Sequence, residues 1–488
     1  MALKEILCLN KFMEIEKKRF RAKTIFKKYR LEIALFVVAL VVRLVLAVFL
    51  TGYETKIGGL DNFSDSNYPI VGGDSHEYNI LANNLIKYGI FSQSPAEPFY
   101  SDSFRIPGYP LFLAVISKFF GGAWGIIIIQ SILSALSVVI LFKIATNFVS
   151  RKLAGLTAWF FVFEPVNVYF SVLIFSESLF TFLILSSIYI FINKETTLNN
   201  FVNFFLLGLI LGIGTMVRVI GLFVPMILFF FGYLLYGRIN NLKKSLAFLA
   251  CILVGFILVI APWSLRNKKL FNSFSLSSVS LYNLVYYHIP RFYEAELGQD
   301  PKQVGADIFE ESGGTILSEA EYNSLSNAPH LQAVADKYLD GHRIKFYWFF
   351  ISHSLSLYVV GGWRNIAEYL KFLPQKVIPL GQMIFKGKLS EVVRNLINGG
   401  LSSYLLVLGT LFWIGIDLLM IVGVFMSSRG FANSWGKACL MTFFVLILYF
   451  MVAPWPEAGA RMRIPAEPFM FLLAMVGLEH ILTLINHE

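Results

Sequence analysis

Asp74, Glu77 and Tyr78 stand just past a Gly-Gly turn in GGDSHEYNILANNLIKYGIFSQ, at the head of a stretch whose apolar positions Ile80, Leu81, Leu85 and Ile86 recur at helical spacing. A carboxylate in that place has two readings. It is a helix cap, favoured by free backbone N–H groups and the helix dipole, or it is a side chain presented for proton transfer. Glu77, three residues after Asp74, fits a capping box. Glu164 and Glu177 flank a short connection between two apolar runs, where an acid is costly and usually functional, although Glu164 precedes Pro165 and can simply mark a helix end. Arg43 sits in the middle of an apolar run, out of reach of either membrane surface, and is expected to face the interior and pair with an acid there. Cys8, Cys251 and Cys439 form no disulfide framework, and the seven histidines show no HxxxH, HExxH or CxxC spacing. Neither a metal nor a cofactor is expected.

These residues must be positioned by an unusually apolar chain. Of 488 residues, 56% are hydrophobic and 15% charged, 48 are Phe, and the mean hydropathy is +0.65, which excludes most soluble folds and disorder alike. An all-α polytopic membrane protein remains. The net charge of +10 does not imply nucleic acid, because ten Lys and Arg against three Glu crowd into residues 1–30, directly before the first apolar run. That arrangement holds a tail in the cytoplasm. With about 20 helical residues per crossing, crossings are expected at 33–52, 124–146, 153–171, 178–193, 202–218, 219–236, 245–263, 401–427, 438–454 and 466–485. The run 202–236 is 35 residues, about 52 Å as one helix, and so is split near Arg218. The phenylalanines of this region (Phe201, Phe204, Phe205, Phe229, Phe230, Phe231) are expected to face lipid.

The ten-helix bundle has two long exterior loops. The division is a basic tail at 1–32, a core at 33–263 containing a first loop at 53–123, a second loop with amphipathic helices at 264–400, and a helical tail at 401–488. An alternative with eleven spans arises because 345–362 is apolar enough to cross. Ten is preferred, since long loops translocate regardless of charge.

The run from Gly73 to Gly122, with GDSHEYNILANNLIKYGIF followed by RIPGYPLFLAVISKFFGG, resembles the first exterior loop of GT-C glycosyltransferases of the protein-mannosyltransferase and aminoarabinose-transferase type. FSESLF at 175–180, APWSLRNKKLF at 261–271 and ARMRIPAEPFM at 460–470 follow in family order. The resemblance implies transfer of a sugar from a polyprenyl-phosphate donor to an extracytoplasmic acceptor, with inversion, in a plasma or inner membrane. It implies that Asp74 is the catalytic base, and that Glu177 faces the site opposite it. Ser75 and His76 follow Asp74 where the family often has a second acid, so Glu77 and Tyr78 are assigned to substrate binding. A leaving phosphate needs fixed cations, for which the planar fork of Arg is suited. Arg105, Arg218, Arg266, Arg461 and Arg463 all reach the exterior boundary, where snorkelling to headgroups is the competing explanation. The RxRxP context favours Arg461 and Arg463, two guanidiniums expected to grip one phosphate from different angles.

Two other functions share this composition. A lipid-linked-glycan flippase would carry charges on many helices inside the bundle and have short loops. An O-antigen-ligase-like or polymerase-like transferase would rely on Arg and His in a late loop, where His288, His330 and His342 lie without matching context.

Overall fold

The computed structural model describes residues 28–57, 74–192, 201–236, 242–354, 359, 361–369, 390–391, 394, 400–430, 434–453 and 456–486. The basic tail as far as residue 27, Cys8, the Gly-Gly turn before Asp74 and most of 370–399 lie outside the described residues. Within them every regular element is helical. The first half of the chain runs α1 (Arg30–Ile57), α2 (Asp74–Tyr88), α3 (Gly108–Phe120), α4 (Gly122–Ala145), α5 (Arg151–Phe163), α6 (Pro165–Ser171), α7 (Glu177–Ile192), α8 (Phe201–Val217), α9 (Val224–Tyr236) and α10 (Leu242–Phe271). A loop domain follows with α11 (Val279–Asn283), α12 (Ile289–Leu297), α13 (Pro301–Glu311), α14 (Glu319–Tyr322), α15 (Ala328–Leu339) and α16 (Arg343–Ser354). The chain closes with α17 (Trp363–Tyr369), α18 (Gly400–Gly430), α19 (Ser434–Val452) and α20 (Glu467–Ile485).

Five of these helices, α1, α4, α10, α18 and α20, are each long and apolar enough to cross a bilayer, and the bent pair α5–α6 makes a sixth. The shorter apolar helices α7, α8, α9 and α19 pack among them, so the chain is an all-α polytopic membrane protein. The break between α8 and α9 falls at Arg218, whose backbone is extended. A 35-residue apolar run cannot stay straight in a 30 Å layer.

In lipid, apolar side chains gain nothing by leaving one apolar neighbour for another, and close backbone packing takes over. Glycines mark where it happens. A Cβ at Gly208 of α8 would lie 2.1 Å from the Ile252 carbonyl oxygen of α10, and one at Gly255 of α10 would lie 2.3 Å from that of Phe205. The pair α18–α20 repeats the device, with Gly423 against the Leu473 carbonyl and Gly477 against that of Leu419, each at 2.1 Å. Residues 467–476 of α20 are all buried, so this last helix is the central post of the second half.

Several elements depart from expectation. The crossing expected at 153–171 is bent by 56° at Glu164–Pro165. Glu164 caps α6 by accepting from the Asn167 N–H at 2.6 Å, as its place before a proline suggested. The helix expected to end at 263 passes Pro262 and runs to Phe271, because Trp263 Nε1 and Asn267 Nδ2 donate to the Leu276 and Ser275 carbonyls at 2.9 and 2.8 Å and strap its last turns to the following segment. Arg43 is fully buried but has no acid beside it among the described residues. Its Nε donates to Ser134 Oγ at 2.8 Å and its Nη1 to the Ala39 carbonyl at 3.0 Å, so neutral oxygens replace the expected carboxylate. Phe204 faces inward, stacked on Phe248 at 4.3 Å, while Phe201 and Phe230 are exposed. Of the alternative span 345–362, residues 355–358 and 360 lie outside the described residues, and its first part belongs to α16. The exposed stripe of that helix, Ile344, Tyr347, Trp348 and Ile351, is the pattern of a helix lying along a membrane surface.

The glycine contacts generate a test. Gly208→Val or Gly423→Val should lower the melting temperature of the purified protein in detergent, by overpacking that typically costs about 1–3 kcal/mol. Gly415→Ala, with nothing within 4 Å of its added methyl, should melt at or above wild type. Equal melting temperatures across the three would show that the two close contacts do not hold the bundle.

Candidate active site

Charged residues of three of the sequence motifs, with Arg218, converge at one end of the bundle. Asp74 opens α2, and both of its carboxylate oxygens face guanidiniums. Arg105 Nη2 donates to Oδ1 at 2.5 Å, and Arg461 Nη2 lies 2.9 Å from Oδ2. Arg105 also donates from Nε to Glu77 Oε2 at 2.5 Å. Arg461 donates from Nε to Glu177 Oε1 at 2.6 Å, and the same oxygen accepts from Arg218 Nη1. The result is a row of alternating sign, Glu77–Arg105–Asp74–Arg461–Glu177–Arg218, assembled from the starts of α2 and α7, the segment between α2 and α3, the break between α8 and α9 and the turn before α20.

The guanidiniums of Arg105 and Arg461 are seated on aromatic rings, which cover their flat faces and leave their edges for the acids. Arg105 lies 4.9 Å from the Phe104 ring centroid and 5.2 Å from that of Tyr78. Arg461 lies 4.1 Å from Phe175 and 5.6 Å from Phe170. Tyr78 packs edge-on against Tyr109 at 4.8 Å. Tyr109 donates to Gln130 Oε1, and Gln130 Nε2 donates to the Leu173 carbonyl at 2.7 Å, so the floor of the site is tied to α4.

Exposure differs among the carboxylates of the row and decides where water reaches it. Glu177 is 1% exposed, whereas Asp74 is 28% and Glu77 29%, and the guanidiniums between and beside them lie at 14–16%. The open end is therefore the carboxylate pair of α2. Burial alone would raise the Asp74 carboxyl, but the charges of Arg105 and Arg461 outweigh it and hold the group well below the usual carboxylate range. Burial likewise opposes the charge on Arg105 and on Arg461, and their acids hold both above the ordinary guanidinium value.

Arg266 and Arg463 do not join the row. Arg266 Nη1 donates to the Asp102 carbonyl at 2.7 Å, and its guanidinium lies 4.3 Å above Trp263, so it braces the loop that carries Arg105. Arg463 is fully buried. Its guanidinium lies 3.6 Å over Trp413 and its Nε donates to Glu467 Oε1 at 3.4 Å. The two arginines of the RxRxP motif were expected to grip one phosphate, and the turn sends them apart. Pro456–Arg463 is a 3₁₀ turn, in which side chains two residues apart point about 120° away from each other. Among the described residues no three His, Cys, Asp or Glu side chains gather as a metal ion would need.

Asp102 is the residue that sequence reasoning missed. Its Oδ2 accepts from the Arg105 N–H and its Oδ1 from Gln93 Nε2, both at 2.9 Å, so it sets the backbone from which Arg105 extends. Its position three residues before an arginine, between two serines, is the available signal, because Asp side chains commonly accept from nearby backbone N–H groups. Burial pushes its carboxyl up to about 6 despite these donors.

Residues 104–264, a third of the chain, match the model of the dolichyl-phosphate-mannose-protein mannosyltransferase family. That stretch contains Arg105, Glu177 and Arg218 and excludes Asp74, Arg266 and Arg461. Among solved structures, the apo oligosaccharyltransferase of Archaeoglobus fulgidus is similar at 14% identity over 94% of this chain and 51% of its own, with a TM-score of 0.49. The same organism's AglB in complex with an inhibitory peptide and a dolichol-phosphate is similar at 12% identity over 95% and 52%, also with a TM-score of 0.49. ArnT from Cupriavidus metallidurans bound to undecaprenyl phosphate is similar at 13% identity over 90% and 77%, with a TM-score of 0.36. The chain spans about half the length of the archaeal enzyme. No curated protein matches it. The matched family and both neighbours are GT-C glycosyltransferases, the superfamily that the sequence motifs resemble.

Asp102 and Asp74 couple to pH with opposite signs. Asp102 has a folded pKa of about 6 against an ordinary 3.8. Its contribution to stability is therefore full below about pH 4 and is lost as pH rises through 6. Asp74, held low, contributes above about pH 4 and loses that contribution as pH falls. Asp102→Asn, which mimics the protonated acid, should accordingly melt higher relative to wild type at pH 7 than at pH 4.5. A melting-temperature difference that is the same at both values would show that Asp102 does not titrate in this range.

Proposed function

We propose that the chain is an inverting glycosyltransferase. It moves a sugar from a polyprenyl-phosphate donor to a hydroxyl or similar acceptor group at the exterior face of a cell membrane, with the basic N-terminal tail on the cytoplasmic side. The observation that supports this most is the open end of the charged row, where one carboxylate is held between two guanidiniums. An acceptor hydroxyl is a poor nucleophile until a positioned base takes its proton. In a single displacement the acceptor oxygen bonds to the anomeric carbon as the bond to the phosphate oxygen breaks. The leaving oxygen keeps the electron pair, the acceptor proton passes to Asp74, and configuration inverts. Arg461 is the cation placed to neutralise the leaving phosphate, with Arg218 behind it on Glu177.

The pairing also supports an order of events. Asp74 clamped by two guanidiniums is ionised but weakly basic, and a general base works best when its pKa lies nearer the operating pH. A donor phosphate that competes for Arg461 takes one cation from Asp74 and so raises its basicity. Donor binding thus arms the base, and acceptor deprotonation waits until the donor is seated. Arg105 stays with Glu77 and keeps Asp74 oriented.

The reading is tested in membranes supplied in turn with radiolabelled polyprenyl-phosphate sugars of different headgroup, following which label moves and onto what. Asp74→Asn should reduce transfer by roughly 100-fold to 10,000-fold in protein that still purifies and melts cooperatively, and undiminished transfer would remove Asp74 from the chemistry. Arg461→Gln should weaken donor kcat/KM about tenfold to a hundredfold, the effect of losing one charge-assisted contact. Arg461→Lys should recover it only in part, because the charge returns without the fork. Unchanged donor kinetics in both variants would show that Arg461 does not meet the phosphate. If the donor arms the base, the acid limb of kcat should lie at higher pH than the acid limb of donor kcat/KM, and coincident limbs would refute the ordering.

A further inference from the structure

The chain of aromatic rings that begins under Arg105 does not stop at Phe104. Phe104 meets Tyr282 edge-on at 5.1 Å, Tyr282 stacks on Tyr286 at 4.4 Å, and Tyr287 stands 6.1 Å from Tyr282 and 6.5 Å from Tyr286. The last two residues belong to a π-helical turn, Leu284–His288, inserted between α11 and α12. The turn explains the grouping. In an α-helix residues 282 and 286 share a face and 287 points aside, whereas a π turn closes i to i+5 and brings residue 287 back beside 282. Single π turns of this kind are frequent at functional sites.

The three rings are not simply the inside of the loop domain. That domain has its own core of Val285, Ile289, Phe292, Ile308, Leu331 and Phe346, against which Tyr286 packs, while Tyr282 and Tyr287 stand outside it. Tyr287 is 50% exposed. Tyr282 and Tyr286 beside it are partly buried, and tyrosines with apolar faces and hydroxyl rims match one ligand chemistry closely. A pyranose ring has a face of C–H bonds, which lies well on the electron-rich face of an aromatic ring, and a rim of hydroxyls that suits phenolic oxygens.

The geometry points to Tyr282, Tyr286 and Tyr287 as a ledge on which the acceptor stacks, and hence to an acceptor that itself carries a pyranose ring, a glycan or glycolipid. This inference rests on the glycosyl-transfer reading of the charged row. The side is set by the order of that row. Arg461 and Arg218, the cations placed for the donor phosphate, lie on one side of Asp74. Arg105, Phe104 and the tyrosines lie on the other, towards the loop domain and away from the bundle. A sugar stacked there approaches Asp74 from the side opposite the phosphate, as a displacement with inversion requires.

The test uses the full-length protein in nanodiscs and a panel of methyl pyranosides as probes, read by saturation-transfer NMR. Saturation should reach the ring C–H protons of at least one methyl pyranoside in wild type, fall several-fold in Tyr287→Ala, and persist in Tyr287→Phe, which keeps the ring. In the labelled-donor assay Tyr287→Ala should raise acceptor KM about threefold to tenfold, the effect of one lost ring contact, with donor KM unchanged. Tyr287 is half exposed, so its loss leaves the domain folded. No saturation transfer from any methyl pyranoside, or equal transfer in wild type and Tyr287→Ala, overturns the ledge. If label moves onto an acceptor without a sugar, with KM indifferent to Tyr287, the ledge fails and glycosyl transfer stands. If methyl pyranosides bind through Tyr287 but no label moves from any donor, the ledge stands and glycosyl transfer fails.

Discussion

The ion pair between Asp74 and Arg461 is the contact on which the arrangement of the site depends. It joins the first residue of α2 to the turn before α20, elements far apart in the chain. A charge at the edge of a membrane bundle is costly unless it is paired, and here each charge is paired with the next. Displacing any one of the contributing segments would strand a neighbour. The row therefore acts as a lock on tertiary structure as well as a reservoir of groups for chemistry, and at rest it holds its carboxylate in a weakly basic state.

Bundle packing is what allows the lock to close. Arg461 reaches Asp74 because α20 sits at the centre of the second half, against α5, α18 and α19. The close glycine contacts between α18 and α20 hold it there. Just below, Arg463 is sealed between Trp413 and Glu467, so one arginine of the motif anchors the turn and the other faces the site. Gly459, with φ of 67°, supplies a backbone conformation that other residues adopt only under strain, and the chain changes direction there just before the two arginines. Structure and chemistry are thus divided between residues two apart.

The loop domain brings a second kind of surface to the same place. The bundle supplies charge from residues that sequence motifs mark, whereas residues 279–354 supply tyrosines that no motif marks. The two meet through Phe104, whose backbone carbonyl accepts from Ser277 Oγ and whose ring touches Tyr282. Asp102, two residues earlier, organises Arg105 and is reached by Arg266 through its carbonyl. The segment 102–105 is where the parts of the site from the bundle and from the loop domain are joined.

The bundle was legible in the sequence because its causes are local. A bilayer demands about 20 apolar residues per helix whatever the neighbours, so the apolar runs, the break at Arg218 and the cap at Glu164 follow from length and residue type. The motifs also marked Asp74, Arg105, Glu177 and Arg461, and the break in the run 202–236 marked Arg218, since charged residues at the ends of apolar runs are few. Which of them meet was not legible, because contacts spanning hundreds of positions, as Arg461 to Glu177 and to Asp74, depend on how helices pack rather than on local spacing. Arg463 left the expected pair because a 3₁₀ turn, invisible in residue type, points alternate side chains apart. Arg43 found Ser134 and a backbone carbonyl instead of an acid, since any oxygen lone pair can satisfy a guanidinium N–H. Asp102 and the tyrosines of the π turn escaped for the same reason: their places are set by contacts across the fold, which only the tertiary structure decides.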